Sequence, residues 1–210
     1  RLSTQGHFIH TAFTEGKRDL NSILRMQEVL AAMREWIPSW EDDPENAYRG
    51  AKAIVNVGAI QGGLGWRVSR TPHRTDLFLD VRVPPTKPMA TARRQVLDLV
   101  RGLAERFPAY GIEGEVYVTA PGAEIEEGHP LVAAIDASHE EVFGERPERD
   151  VTRWFSDASV LTRYGIATVN YGTSTGLLDT EYGENLDIDG LARMAQVYAL
   201  AAMRVCGVAS

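Results

Sequence analysis

The sequence predicts an α+β fold, on three observations. Over residues 1–119, strand-like and helix-like stretches follow one another in the order β-α-β-β-α-β. Two of these stretches repeat apolar residues along a single helical face, so both helices must cover one face of one sheet. Residues 120–210 then read as mostly helical, with one apolar strand that finds few sheet neighbours in its own sequence, as expected of part of an α/β domain. The element order of the first unit is that of a ferredoxin-like split βαβ.

Each element has its own reason. Residues 6–13 (GHFIHTAF) carry the β-branched and aromatic side chains of a strand. From Asp19 the period changes: Ile23, Met26, Leu30, Met33 and Ile37 fall on one helical face. Asp19 is the expected N-cap, and Pro38 and Pro44 close the helix. Residues 51–60 read as a second strand ending at Gly62-Gly63, where a tight turn is permitted. Residues 75–83 alternate Leu77, Leu79, Val81 and Val83 with polar or aromatic neighbours, and Pro84-Pro85 ends that strand. Residues 89–107 form the second helix, with Val96, Leu99, Val100, Leu103 and Phe107 on one side, and residues 113–119 the fourth strand. After Pro121-Gly122, helices are expected over residues 129–143, 156–163 and 187–205, and a buried parallel strand over residues 166–171.

Composition bounds the function. The chain has 210 residues and a formal net charge of −7, which opposes a nucleic-acid footprint. No segment approaches the ~18 uninterrupted apolar residues of a membrane span. A single cysteine, Cys206, rules out an internal disulfide and a cysteine-based zinc cage. These features favour a cytoplasmic protein. The chain opens on Arg1 rather than Met, so further sequence upstream is expected.

Several residues have chemistry to offer. The histidines are His7, His10, His73, His129 and His139, and none follows His139. His7 and His10, three apart on a strand, would point to opposite faces, which makes a poor metal pair. Arg82 interrupts an apolar strand; it either pairs with Asp80 two residues earlier or aims its donors at a substrate carboxylate. Ser156-Asp157 reads first as a helix cap. The loop from Tyr171 through Gly172, Thr173, Ser174 and Thr175 to Gly176 follows the apolar strand, a position at which amides and hydroxyls bind anions, although no phosphate-loop Gly-Lys-Ser/Thr is present. Asp179, Glu181, Glu184, Asp187 and Asp189 precede the last helix; they suit its positive N-terminus better than an EF-hand, whose spacing they miss.

Taken in order, these stretches resemble one family. Gly6-His7-Phe8-Ile9-His10-Thr11 and Asp19-Leu20-Asn21-Ser22-Ile23, Gln61-Gly62-Gly63 through Pro72, Leu79-Asp80-Val81-Arg82, Gly128-His129-Pro130-Leu131-Val132 and Glu184-x-x-x-Ile188 are similar to the aminoacylase, acetylornithine deacetylase, succinyl-diaminopimelate desuccinylase and glutamate carboxypeptidase group of dinuclear zinc peptidases. The resemblance implies a dimerisation (lid) domain over residues 1–119, followed over residues 120–210 by the C-terminal portion of a zinc-exopeptidase-like catalytic domain. It implies a hydrolase acting on the amide bonds of N-acyl amino acids or small peptides, zinc or another divalent metal pair in the complete enzyme, and a homodimer through the lid. His10 takes the place of the lid histidine that stabilises an oxyanion in the partner subunit's site, a role worth about 3–4 kcal/mol of barrier. Arg82 takes the place of the arginine that holds the substrate carboxylate, and Thr173 and Ser174 fall in a substrate-contacting loop.

Two positions depart from the pattern. Ser69 stands where the family has an asparagine, and Thr180 where it has a histidine ligand, and threonine is a poor ligand for zinc. The other metal ligands of the family come from sequence that precedes the lid, and no such sequence is among residues 1–210. No metal ligand is therefore assigned in this chain, which by itself is expected to be inactive. The alternative is a non-catalytic dimerisation or binding module. An RNA-binding ferredoxin-like module is opposed by the acidic balance.

Overall fold

Leu2 and Leu77 lie opposite each other on neighbouring strands and are almost wholly buried, and the first unit assembles around them. The computed structural model describes residues 1–172 and 187–207, in two compact units, Arg1–Gly122 and Ala123–Ser210. The first holds strands β1 (Leu2–Gln5), β2 (Ile54–Gly62), β3 (Arg74–Arg82) and β4 (Glu113–Gly114), with helices α1 (Ser22–Glu41) and α2 (Met89–Arg106). The sheet order is β2-β3-β1-β4 with every neighbouring pair antiparallel. The split βαβ follows directly, because β3 lies between β1 and β2. Met26, Val29, Ala32 and Met33 of α1 and Leu103 of α2 pack on Leu2 and Leu77. Burying each of the larger side chains is worth about 1.5–3 kcal/mol. A second cluster joins Trp40 to Ala53 and Val55.

Several boundaries differ from the sequence expectation, each for a local reason. Residues 6–13 are not the first strand, which is the short segment before them. Asn21, not Asp19, caps α1; its side-chain oxygen accepts from the Ile23 amide at 2.9 Å. The buried face of α1 is correspondingly rotated, leaving Ile23 exposed and turning Ser22 and Arg25 inward. The fourth strand keeps only Glu113–Gly114 of the expected residues 113–119; these pair with Ser3 and Leu2, and the Glu115 amide still donates to Arg1 O at 2.9 Å.

The second unit contains α3 (Pro130–Phe143), α4 (Ala158–Arg163) and α5 (Ile188–Cys206). Val132, Ala134 and Ser138 are buried on α3, and Met194, Val197 and Ala201 on α5, where the two helices pack. The Arg204 guanidinium donates to Ser138 Oγ at 2.7 Å across this contact. Residues 166–171 form no strand: no ladder partner reaches them among the described residues. No described helix is long and apolar enough to cross a membrane.

Gly6 is a tight backbone crossing in the first unit. A Cβ there would lie 2.6 Å from the Leu20 carbonyl oxygen, 2.7 Å from the Ser22 amide nitrogen and 2.8 Å from the Pro72 carbonyl oxygen. All three are backbone atoms and cannot swing aside. Gly6→Ala should therefore lower stability by about 1–3 kcal/mol, whereas Gly102→Ala, in open space on α2, should raise it by about 0.5–1 kcal/mol. Urea denaturation midpoints of the two variants check this; equal midpoints would show that the crossing at Gly6 relaxes without cost.

Candidate functional site

The candidate site grows from the segment that leaves β1. Gly6 N donates to His73 O at 2.7 Å and His7 N to Leu20 O at 2.8 Å. Further along, Thr71 N donates to Ile9 O and Thr11 N to Ser69 O, both at 2.9 Å, and His10 forms an antiparallel bridge with Arg70. The strand-like composition of residues 6–13 is thus used, but against the loop that joins β2 to β3. This zipper forms one tip of the sheet.

Two devices hold the tip. Arg25 is buried, yet its guanidinium is satisfied by carbonyls: Nε donates to Asp19 O at 2.5 Å and Nη1 to Gln5 O at 2.8 Å, while the group lies 5.2 Å from the centre of the Tyr110 ring. Beneath it the hydroxyls of Thr4, Ser22 and Thr75 are buried and bonded, with Thr4 Oγ1 donating to Ser22 O at 2.9 Å and Ser22 Oγ 2.8 Å from Thr75 Oγ1. Buried polar groups of this kind fix one geometry because a lost partner is costly.

His10 caps the short turn Thr11–Phe13. Its Nδ1 accepts from the Ala12 amide at 3.2 Å. In the neutral ring that bond assigns the proton to Nε2. The imidazole therefore offers an N–H directed away from its own backbone, as an oxyanion donor requires. Ser69 sits opposite Thr11, one residue from the His10–Arg70 bridge, with an exposed side chain.

Arg82 is placed elsewhere. Nε and Nη2 donate to Asp80 Oδ2 at 2.8 and 2.5 Å, the i−2 pairing considered from the sequence. Arg74 marks the tip end of β3 and Arg82 its other end. Eight residues at ~3.3 Å each separate them by about 26 Å. His10 and Arg82 of one copy are therefore not brought together. The chain leaves the first unit at the Arg82 end, where Gly122 packs on Pro85.

Thr173, Ser174 and Thr180 lie outside the described residues. The described segment just before that loop is anchored: Tyr171 Oη lies 2.6 Å from His139 Nδ1, and Tyr198 Oη donates to Tyr171 O at 2.6 Å. Burial, and then the neighbouring Tyr198, push the Tyr171 phenol above its ordinary value of 10.0. Among the described residues, no group of three or more His, Cys, Asp or Glu side chains is placed to hold a metal ion. The described donors thus do not fit a dinuclear site. Sequence reasoning missed Arg25 and Arg70; the first looks like a solvent-facing helix residue, and the second gains significance only from its pairing with His10.

Comparisons with known proteins agree with this architecture. No family model matches the chain. It is similar to N-formyl-4-amino-5-aminomethyl-2-methylpyrimidine deformylase of Bacillus subtilis, 27% identical over 187 residues, covering 80% of this chain and 42% of that protein. Among solved structures, the di-peptidase Dug1p of Saccharomyces cerevisiae superposes with a TM-score of 0.74 at 10% identity, covering 100% of this chain and 54% of that one. The YxeP protein of Bacillus subtilis, described as a dinuclear metal binding peptidase from the M20 family, gives a TM-score of 0.54 at 13% identity, covering 97% and 48%. The structural neighbours are described as peptidases and amidases, and the likeness is one of fold. The chain spans about half the length of these proteins.

The Tyr171 anchor has a pH signature. Below pH 10 the phenol is protonated in both the folded and unfolded chain. Above it the unfolded chain loses the proton first, so stability falls as pH rises from 10 through the raised folded value. A tyrosinate absorbance titration should show a late-ionising tyrosine that Tyr171→Phe removes; a titration unchanged by that substitution would contradict the anchor.

Proposed function

We propose that the chain is the lid and the C-terminal catalytic portion of a metal-dependent amidohydrolase or peptidase that cleaves amide bonds of N-acyl amino acids or small peptides. The observation that carries this reading is His10. Its Nδ1 is occupied by the Ala12 amide, which leaves Nε2–H for an oxyanion, and it stands at the tip farthest from Gly122. A hydrogen bond of this type strengthens as negative charge builds on the carbonyl oxygen, so it lowers the barrier more than it tightens substrate binding. The separation of His10 from Arg82 supports action in trans: one copy supplies the histidine and another the arginine. Zinc or another divalent metal pair would belong to the complete enzyme, with ligands that the described residues do not supply.

A homodimer through the lid is part of the proposal, as is a cytoplasmic location. The support for the dimer is β2, a nine-residue strand at the sheet edge with Val57 and Ile60 exposed. Such an edge must be paired or blunted, and the register shift between Val57 and Ala59 disturbs only its middle. The second reading, a dimerisation module without turnover, is favoured by Thr180 at the position of a histidine ligand.

Two outcomes follow. In the longer enzyme, His10→Ala should lower kcat by about 10²–10³-fold with little change in KM; unchanged turnover would remove the oxyanion role and leave the second reading standing. Equilibrium sedimentation of this chain at micromolar concentration should give a dimer mass, and a monomer would overturn the assembly.

A further inference from the structure

The same tip carries charge that the His10 reading does not use. Residues 6–20 and 62–74 together hold five Lys and Arg against two Asp and Glu, in a chain whose net charge is −7. Two of these cations converge on one ring. The Arg70 guanidinium lies 5.5 Å and that of Arg67 5.8 Å from the centre of Phe8, and Arg67 also lies 6.0 Å from the centre of Trp66. His73 meets the Phe8 edge at 6.1 Å. Among the described residues, neither Arg67 nor Arg70 has a carboxylate within ion-pair distance.

This arrangement costs something unless an anion joins it. Two like charges lie close to one aromatic ring, and the ring's attraction for each is only about 0.5–1 kcal/mol at an exposed site. Guanidinium forks match the two oxygens of a carboxylate. Trp66 is 77% exposed and Phe8 46%, so an apolar group attached to that carboxylate has surface to lie on. Arg70 is the direct cross-strand partner of His10, and such partners present their side chains on the same side. A polyanion is a poorer match, since it would extend over the acidic remainder of the molecule.

We propose that Arg67 and Arg70, set over Phe8 beside His10, form a subsite for a carboxylate group carried on an apolar or aromatic ligand. The subsite stands on this geometry; that its ligand is the substrate attacked near His10 rests on the function proposed above.

The test is a titration of the 210-residue chain with benzoate, and separately with benzamide and inorganic phosphate, followed through the Trp66 indole N–H signal. Benzoate should shift that signal saturably, with benzamide about tenfold weaker or more. R67Q/R70Q should weaken benzoate binding by a similar factor, while R94Q, which removes a charge on α2, should leave it unchanged. The proposal is overturned by benzamide binding as tightly as benzoate, by the double variant binding like the parent, by R94Q weakening binding as much as R67Q/R70Q, or by no saturable shift. Phosphate binding more tightly than benzoate would also overturn the carboxylate assignment. H10A separates the two readings: if it leaves turnover of the longer enzyme unchanged while benzoate still binds here, the function falls and the subsite remains. If H10A abolishes turnover but benzoate does not bind the parent chain, the function remains and the subsite falls.

Discussion

Three backbone segments meet at Gly6, and the rest of the tip depends on that meeting. The chain leaving β1, the turn entering α1 and the end of the β2–β3 loop approach so closely that no side chain fits between them. Their amides and carbonyls satisfy one another there, with Gly6, His7 and Ser22 donating to His73, Leu20 and Pro72. This is how a buried crossing avoids unpaired polar groups without extending the sheet. The zipper from Ile9 to Thr71 follows from it, and so does the placement of His10 opposite Arg70. Arg25 reinforces the crossing from below by binding carbonyls on both sides of it.

The first unit therefore has two chemically different ends. At the tip, a histidine with an available N–H and two arginines without a carboxylate partner among the described residues sit beside exposed aromatic rings. At the other end, Arg82 is tied to Asp80, close to where the chain passes into the second unit. A strand as long as β3 keeps these ends apart by a distance no side chain spans. A reaction that used both would have to recruit them from different copies.

The fold of the first unit was legible because its signals are periodic. The apolar faces around Met26 and Leu103 and the alternation through Leu77 survive as packing in the structure. The misread parts are those where hydrogen-bond partners, not side-chain pattern, decide the outcome. Residues 6–13 have the composition of a strand, yet their bonds go to a distant loop, and only the crossing at Gly6 directs them there. Residues 166–171 are apolar enough for a buried strand, but no ladder partner reaches them among the described residues. The role of His10 was readable only through resemblance. Its tautomer depends on the Ala12 amide, and a sequence does not display that geometry.

The two classes of arginine also bear on how a carboxylate would be recognised. At Arg82 an incoming carboxylate meets a guanidinium already bonded to Asp80, so it must share or displace that partner, and exposed pairs of this kind are worth at most about 1 kcal/mol. At the tip no carboxylate of the described residues competes, and the repulsion between two cations held near one ring is relieved as the anion arrives. That relief adds to the affinity of the direct contacts. The same cations steer negative ligands toward His10 against the field of an otherwise acidic chain.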